Sequence, residues 1–187
     1  MNYEEYRKVV IKTENGSLTD YPKLLHAIMG INGEAGECID LLKKTIFQGH
    51  EFDEKHFLNE LGDVCWYTML LVVELGVDIS FIFEQECKIV NINCNEYLKL
   101  DHALQYILEL NKDCGLAIDI FKYHREDMTP NYTTISILRN IVYNIRMTAY
   151  LFGKTIGDIF EINAKKLSKR YPNGFETERS INRSDNL

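Results

Sequence analysis

The stretch Asn32-Gly33-Glu34-Ala35-Gly36-Glu37-Cys38-Ile39-Asp40-Leu41-Leu42-Lys43-Lys44 decides how the rest of the chain is read. Its apolar residues Ala35, Cys38, Ile39 and Leu42 recur at spacings of three and four, the period of a helix that turns one face inward. A shift of 79 positions carries the stretch onto a second one, matching Asn32 with Asn111, Gly36 with Gly115, Ile39 with Ile118, Asp40 with Asp119 and Lys43 with Lys122. Further along, a shift of 77 matches Gly76 with Gly153, Ile79 with Ile156, Ile82 with Ile159, Phe83 with Phe160 and Glu84 with Glu161. A loop near 124–136 slightly shorter than the one near 45–59 absorbs the difference between the two shifts. The chain therefore reads as a tandem duplication of a helical unit. The first copy covers 20–86; the second covers 100–172, its matches ending at 163 and its last helix being basic.

The same period runs through the remaining sequence, and proline, the strongest helix breaker, occurs only at 22, 130 and 172. The expected fold is an all-α helical bundle forming one domain over 1–187. Helices are predicted at about 3–13, 22–46, 54–75, 78–98, 102–124, 132–152 and 155–170. Asp20, Asp53, Asp78, Asp101 and Thr155 read as N-caps, because a short side-chain oxygen can accept from the free amides of a first turn. Gly49, Gly76 and Gly153 read as stops. The polar segment 173–187 reads as a loosely held tail.

With 187 residues, 45% of them hydrophobic, the chain can bury a core that needs no disulfide or structural metal. Cys38, Cys65, Cys87, Cys94 and Cys114 form no C-x-x-C and lie mostly in apolar periodic stretches, so they read as reduced thiols of a cytoplasmic protein. No run of 18 apolar residues occurs and the first residues lack a basic start followed by an apolar block, which argues against a membrane span or a secretory signal. Twenty-eight acidic against 21 basic side chains give a net charge of −7, which on average repels nucleic acid; a small phosphorylated ligand bridged by metal stays compatible.

Two pairs of acids stand out. Glu34 and Glu37 are spaced i,i+3 on the second expected helix, Glu60 and Asp63 i,i+3 on the third, so each pair projects from one helix face. If the two helices pack antiparallel across the short 47–53 connection, the four carboxylates converge, and their repulsion and desolvation call for a compensating charge. Oxygen ligands without cysteine or histidine suit Mg²⁺ or Mn²⁺. The first pair follows three glycines, Gly30, Gly33 and Gly36, each costing a helix about 1 kcal/mol relative to alanine. Close helix packing and open access for a ligand are both consistent with the missing side chains. Near the end of the chain, Asn163, Lys166 and Arg170 at i, i+3, i+7, closed by Tyr171-Pro172, offer an amide, an ammonium and a guanidinium suited to phosphate oxygens, although basic residues in a last turn also serve the helix dipole.

Comparison of the copies divides this chemistry. Glu34 aligns with Asp113, Glu37 with Leu116, Glu60 with Ile137 and Asp63 with Asn140, while Asn163 aligns with Glu86 and Lys166 with Ile89. The second copy is degenerate in its acids and the first lacks the basic face. Asp40, kept as Asp119, reads as structural.

These residues together resemble the MazG-like all-α nucleoside triphosphate pyrophosphohydrolases. The resemblance rests on Leu24-Leu25-His26-Ala27, on Gly33-Glu34-Ala35-Gly36-Glu37 with Asp40 and Lys43-Lys44, on Glu60-Leu61-Gly62-Asp63-Val64-Cys65-Trp66-Tyr67 and on Asn163 through Phe175. It covers about 20–86 and 156–183, and joining Glu84 to Ile162 restores the family's continuous pattern. The resemblance implies that Glu34, Glu37, Glu60 and Asp63 hold Mg²⁺ and that Asn163, Lys166, Arg170 and Tyr171 contact a triphosphate. It also implies hydrolysis of a (d)NTP between the α- and β-phosphates, with Glu34 or Glu37 as the base, and a homo-oligomer, typically a dimer. One carboxylate site per chain is expected, the basic face coming from the second copy or from a neighbouring subunit.

Other residues carry weaker signals. His26 reads as a packing histidine that can also face a base, and Trp66 and Tyr67 as core aromatics able to stack on one. Asp53-x-x-His56 has ligand-like spacing, but the chain lacks any E-x-x-H, so a ferritin-like di-iron centre is not expected. Two other functions fit the same features: a nucleotide hydrolase like the dimeric dUTPases, and a non-catalytic helical module that binds nucleotide or metal.

Overall fold

The computed structural model describes residues 1–84, 95–123 and 129–181. Among them there are eight helices and no strand: α1 Tyr3–Thr13, α2 Asp20–Gln48, α3 Glu54–Glu74, α4 Ile79–Phe83, α5 Glu96–Tyr123, α6 Tyr132–Leu151, α7 Ile156–Arg170 and α8 Thr177–Ile181. None of these helices is long and apolar enough to cross a membrane.

Local chemistry sets most of the boundaries where the sequence places them. The Asp53 side chain accepts from the His56 amide, Asp78 from the Ser80 amide, and Thr155 forms a capping box with Asp158. Gly49, Gly76 and Gly153 have φ of 75°, 65° and 65°, the left-handed conformation that ends a helix without a Cβ clash.

Three expected boundaries are corrected. Asp101 is no N-cap; it lies inside α5 and accepts from Gln105, and the cap is Asn95, whose oxygen accepts from the Leu98 amide at 3.0 Å. The helix expected over 78–98 stops at Phe83, where Arg139 and Arg146 of α6 donate to the carbonyls of Phe81 and Phe83 that a longer helix would have used itself. Residues 85–94, with Cys87 and Cys94, fall outside the described residues. At the start of α2 the cap position is Thr19 rather than Asp20, which opens the helix at φ 50°.

The core is one cluster shared by α1 to α7. Tyr6 and Val10 carry α1 onto α3 and α7, with the Tyr6 ring stacked on Phe160 at 4.2 Å; Phe52, Phe57 and Phe152 close the opposite end. The pairing of helices repeats: α2 packs on α3 as α5 packs on α6, and α3 meets α7 as α6 meets α4. Of the expected loose tail, Gly174 is buried, none of the residues of α8 is, and 182–187 lie outside the described residues. Phe175 packs on the core and on the Tyr171 ring, and Lys12 of α1 donates to the Pro172 carbonyl at 3.0 Å.

Candidate metal and phosphate site

α2 and α3 run antiparallel, Gly30 lying beside Tyr67 and Glu34 beside Asp63 and Glu60. A methyl at Gly30 would sit 2.3 Å from two carbons of the Tyr67 ring, so this glycine is what allows the two helices to close. At Gly33 and Gly36 no atom lies within 4 Å of such a methyl. The three glycines therefore serve different ends: Gly30 serves packing, whereas Gly33 faces a cavity of about 760 Å³ that Glu34, Glu37, Glu60, Asp63, Lys166, Arg170 and Tyr171 also line.

Glu34, Glu60 and Asp63 each place a carboxylate oxygen within 4.8 Å of the others. Glu37, one turn on from Glu34, is exposed on the cavity wall outside this group of three. Burial, reinforced by the charges of Asp63 and Glu60, pushes the Glu34 carboxyl up from 4.5 to about 8. Burial also raises Asp63, against the opposing pull of Lys166. His56, held in register by the Asp53 cap, brings Nε2 to 3.0 Å from Glu60 Oε1. Three crowded carboxylates at this depth fit a divalent cation in both donor type and charge: hard oxygens suit Mg²⁺ or Mn²⁺, and two positive charges would offset the burial and mutual repulsion that raise the Glu34 carboxyl. Among the described residues, Glu34, Glu60 and Asp63 form a group able to hold a metal ion.

α7 supplies the opposite charge from the same chain. Lys166 Nζ donates to Asp63 Oδ2, and Arg170 stands one turn further along the same cavity wall. Asn163 departs from its expected place. It is fully buried and not on the cavity wall, because its amide is used twice: Oδ1 accepts from the Tyr6 hydroxyl at 2.7 Å and Nδ2 donates to Asp63 Oδ1 at 2.7 Å. Tyr171 lines the cavity as a nearly buried ring, at 5.4 Å from that of Phe175.

An aromatic region continues the cavity. The His26 ring stands edge-on to Tyr67 at 5.4 Å, and burial lowers its proton affinity. Tyr67 is also edge-on to Trp66 at 4.8 Å, and the Trp66 Nε1–H donates to Thr13 Oγ1 at 2.9 Å. Trp66 is thus a core residue with one edge in the cavity, bound to α1. Asp40, exposed and paired with Lys43 and Lys44, is a surface ion-pair residue. Sequence reasoning missed Tyr6 and underrated His56. The i,i+4 spacing of His56 and Glu60 was legible, whereas nothing in the sequence marks the tyrosine of α1 that ends up behind Asp63. Compared with protein-family models, curated proteins and solved structures, the chain matches none.

Proposed function

We propose that the protein is a Mg²⁺- or Mn²⁺-dependent nucleoside triphosphate pyrophosphohydrolase, converting a (d)NTP and water to (d)NMP and pyrophosphate. The observation that carries this reading is the meeting, on one cavity, of the Glu34, Glu60 and Asp63 carboxylates with the cationic side chains of Lys166 and Arg170. Acids alone would suit any cation site; acids sharing a cavity wall with an ammonium and a guanidinium suit a polyanion held through a cation.

In this reading Glu34, Glu60 and Asp63 hold the metal, which acidifies a water and offsets charge on the leaving pyrophosphate. Lys166 and Arg170 hold phosphate oxygens. Glu37, on the cavity wall beyond the three ligands, is placed to take the proton of the attacking water, and His56 orients Glu60. The aromatic region about His26, Trp66 and Tyr67 takes the base. The repeated helix pairing supports a duplicated unit with one active half, the second half having Ile137 and Asn140 where the first has Glu60 and Asp63.

The test is a panel of canonical and modified NTPs and dNTPs with Mg²⁺ or Mn²⁺, following pyrophosphate, orthophosphate and monophosphate, alongside Glu60→Gln. Pyrophosphate with monophosphate, abolished by the substitution, is the expected result. Silence across the panel, with Glu60→Gln altering only ligand affinity, would replace the enzyme by a binding module.

A further inference from the structure

Asp63 is held by more than its ion pair. Behind it runs a buried chain of hydrogen bonds through three helices, from the Tyr6 hydroxyl of α1 to Asn163 Oδ1 of α7 at 2.7 Å and from Asn163 Nδ2 to Asp63 Oδ1 of α3 at 2.7 Å. Tyr6 and Asn163 are both 0% exposed, so their polar groups are satisfied by protein partners. The chain has a direction. An amide can present either end to a carboxylate, and only its N–H end is attractive. The tyrosine proton on Asn163 Oδ1 satisfies the oxygen on the side away from Asp63 and leaves the NH₂ to point at it. The hydroxyl also makes a longer contact with the Gly62 carbonyl, at 3.4 Å, so its shorter bond is the one to Asn163. Gly62 contributes in another way: a Cβ there would be 3.0 Å from the Asn163 Cβ, so the missing side chain lets α7 come close enough for the amide to reach the next residue, Asp63.

We propose that Tyr6 and Asn163 are positioning residues that set the Asp63 carboxylate for a divalent cation, an inference that rests on the metal reading of the acidic group. Each Asp63 oxygen has two lone pairs. One is taken by Asn163 on Oδ1 and one by Lys166 on Oδ2, so each oxygen keeps one for a metal and the carboxylate cannot swing to offer a different pair. α1 lies outside both repeats, yet through Tyr6 it completes the centre that the first repeat carries. The tyrosine ring stacks on Phe160 at 4.2 Å and 9°, an apolar core contact separate from the hydrogen bond of its hydroxyl to Asn163.

The test uses Mn²⁺ alone, titrated into the full chain and followed by the electron paramagnetic resonance signal of the free ion, with thermal midpoints recorded in parallel. Tyr6→Phe keeps the stacked ring and removes only the hydroxyl; Phe160→Leu loosens the same packing and keeps the hydroxyl. Loss of a partner behind a ligand weakens metal binding by about 10–100-fold. The expected result is therefore a Mn²⁺ affinity at least about tenfold weaker in Tyr6→Phe and unchanged in Phe160→Leu, although the second variant melts earlier. Equal affinities in wild type and Tyr6→Phe would overturn the positioning role while leaving the metal site standing. A wild-type chain that binds no Mn²⁺ would remove the metal reading itself, and this inference with it.

Discussion

Replacing the three glycines of α2 by alanine, one at a time, separates packing from access. In an open helical position alanine is favoured over glycine by about 1 kcal/mol. At Gly36 the new methyl meets nothing within 4 Å and the position is off the cavity wall, so that gain should appear undiminished. For a chain of this size each kcal/mol moves the thermal midpoint by roughly 2–4 °C, and Gly36→Ala should melt higher by about that amount. At Gly30 the methyl would lie 2.3 Å from two carbons of the Tyr67 ring, which is itself wedged between His26 and Trp66. Overpacking of this kind costs about 1–3 kcal/mol, so after the helix gain Gly30→Ala should lose up to about 2 kcal/mol. Gly33→Ala should melt like Gly36→Ala but place its methyl in the cavity beside Glu34, raising KM for a triphosphate without lowering stability. Differential scanning fluorimetry on the three variants, with a steady-state assay on the third, checks the series. A Gly30→Ala midpoint raised as far as that of Gly36→Ala would refute the argument that this glycine exists for the approach of α3.

The acidic group should make stability fall with pH when chelator keeps the protein free of metal. Glu34 titrates at about 8 in the fold against an ordinary 4.5, so between those values the folded state holds more protons than the unfolded one and each rise in pH removes stability. Midpoints recorded from pH 5 to 9 in chelator should drop across that window, and both Mn²⁺ and Glu34→Gln should flatten the drop; a flat profile in the wild type would contradict it. Lys166→Met removes the cation from Asp63 and from the phosphate path, and kcat/KM for the best substrate should fall on the order of 100-fold; an unchanged value would take Lys166 off the phosphate. Asp113, which the proposed duplication pairs with Glu34, is nearly buried and raised by that burial, and among the described residues it belongs to no metal-capable group, so Asp113→Asn should increase the midpoint more above the ordinary carboxylate range than below it and leave Mn²⁺ affinity unchanged.

What the sequence disclosed and what it hid follow from the range over which each feature is determined. Helix periods, the caps at Asp53, Asp78 and Thr155 and the stops at Gly49, Gly76 and Gly153 depend on a few neighbouring residues and were legible. The break after Phe83 was not, because arginines some sixty positions later take its carbonyls. Likewise the i,i+3 spacing put Glu60 and Asp63 on one face, but spacing treats Glu34 and Glu37 alike, and only the contact with α3 distinguishes the half-buried candidate ligand from the exposed acid. For Asn163 the spacing misled. It shares a helix face with Lys166, yet at the approach permitted by Gly62 the face turns from cavity to core within one turn.

The placement of the charges also bears on how the site and the fold depend on each other. The carboxylates come from residues 34–63, whereas the groups that make their burial tolerable, Asn163 and Lys166, arrive about a hundred positions later. Before α7 docks, Asp63 would face the core with neither partner, and a buried unpaired charge is among the most destabilising features a fold can carry. The first half is therefore not expected to be stable with its acids in place unless the second half closes over it. The second half carries less of this penalty: Ile137, where the first has Glu60, is an ordinary core residue 6% exposed, and Asp113 is the acid it still buries. On the proposed duplication, such a bundle concentrates its repulsion at one seam and lets the other half stabilise that seam. Absence of the acids from the second copy would then spare a folding penalty, while Asn163, Lys166 and Arg170 of that half reach across the seam to the first.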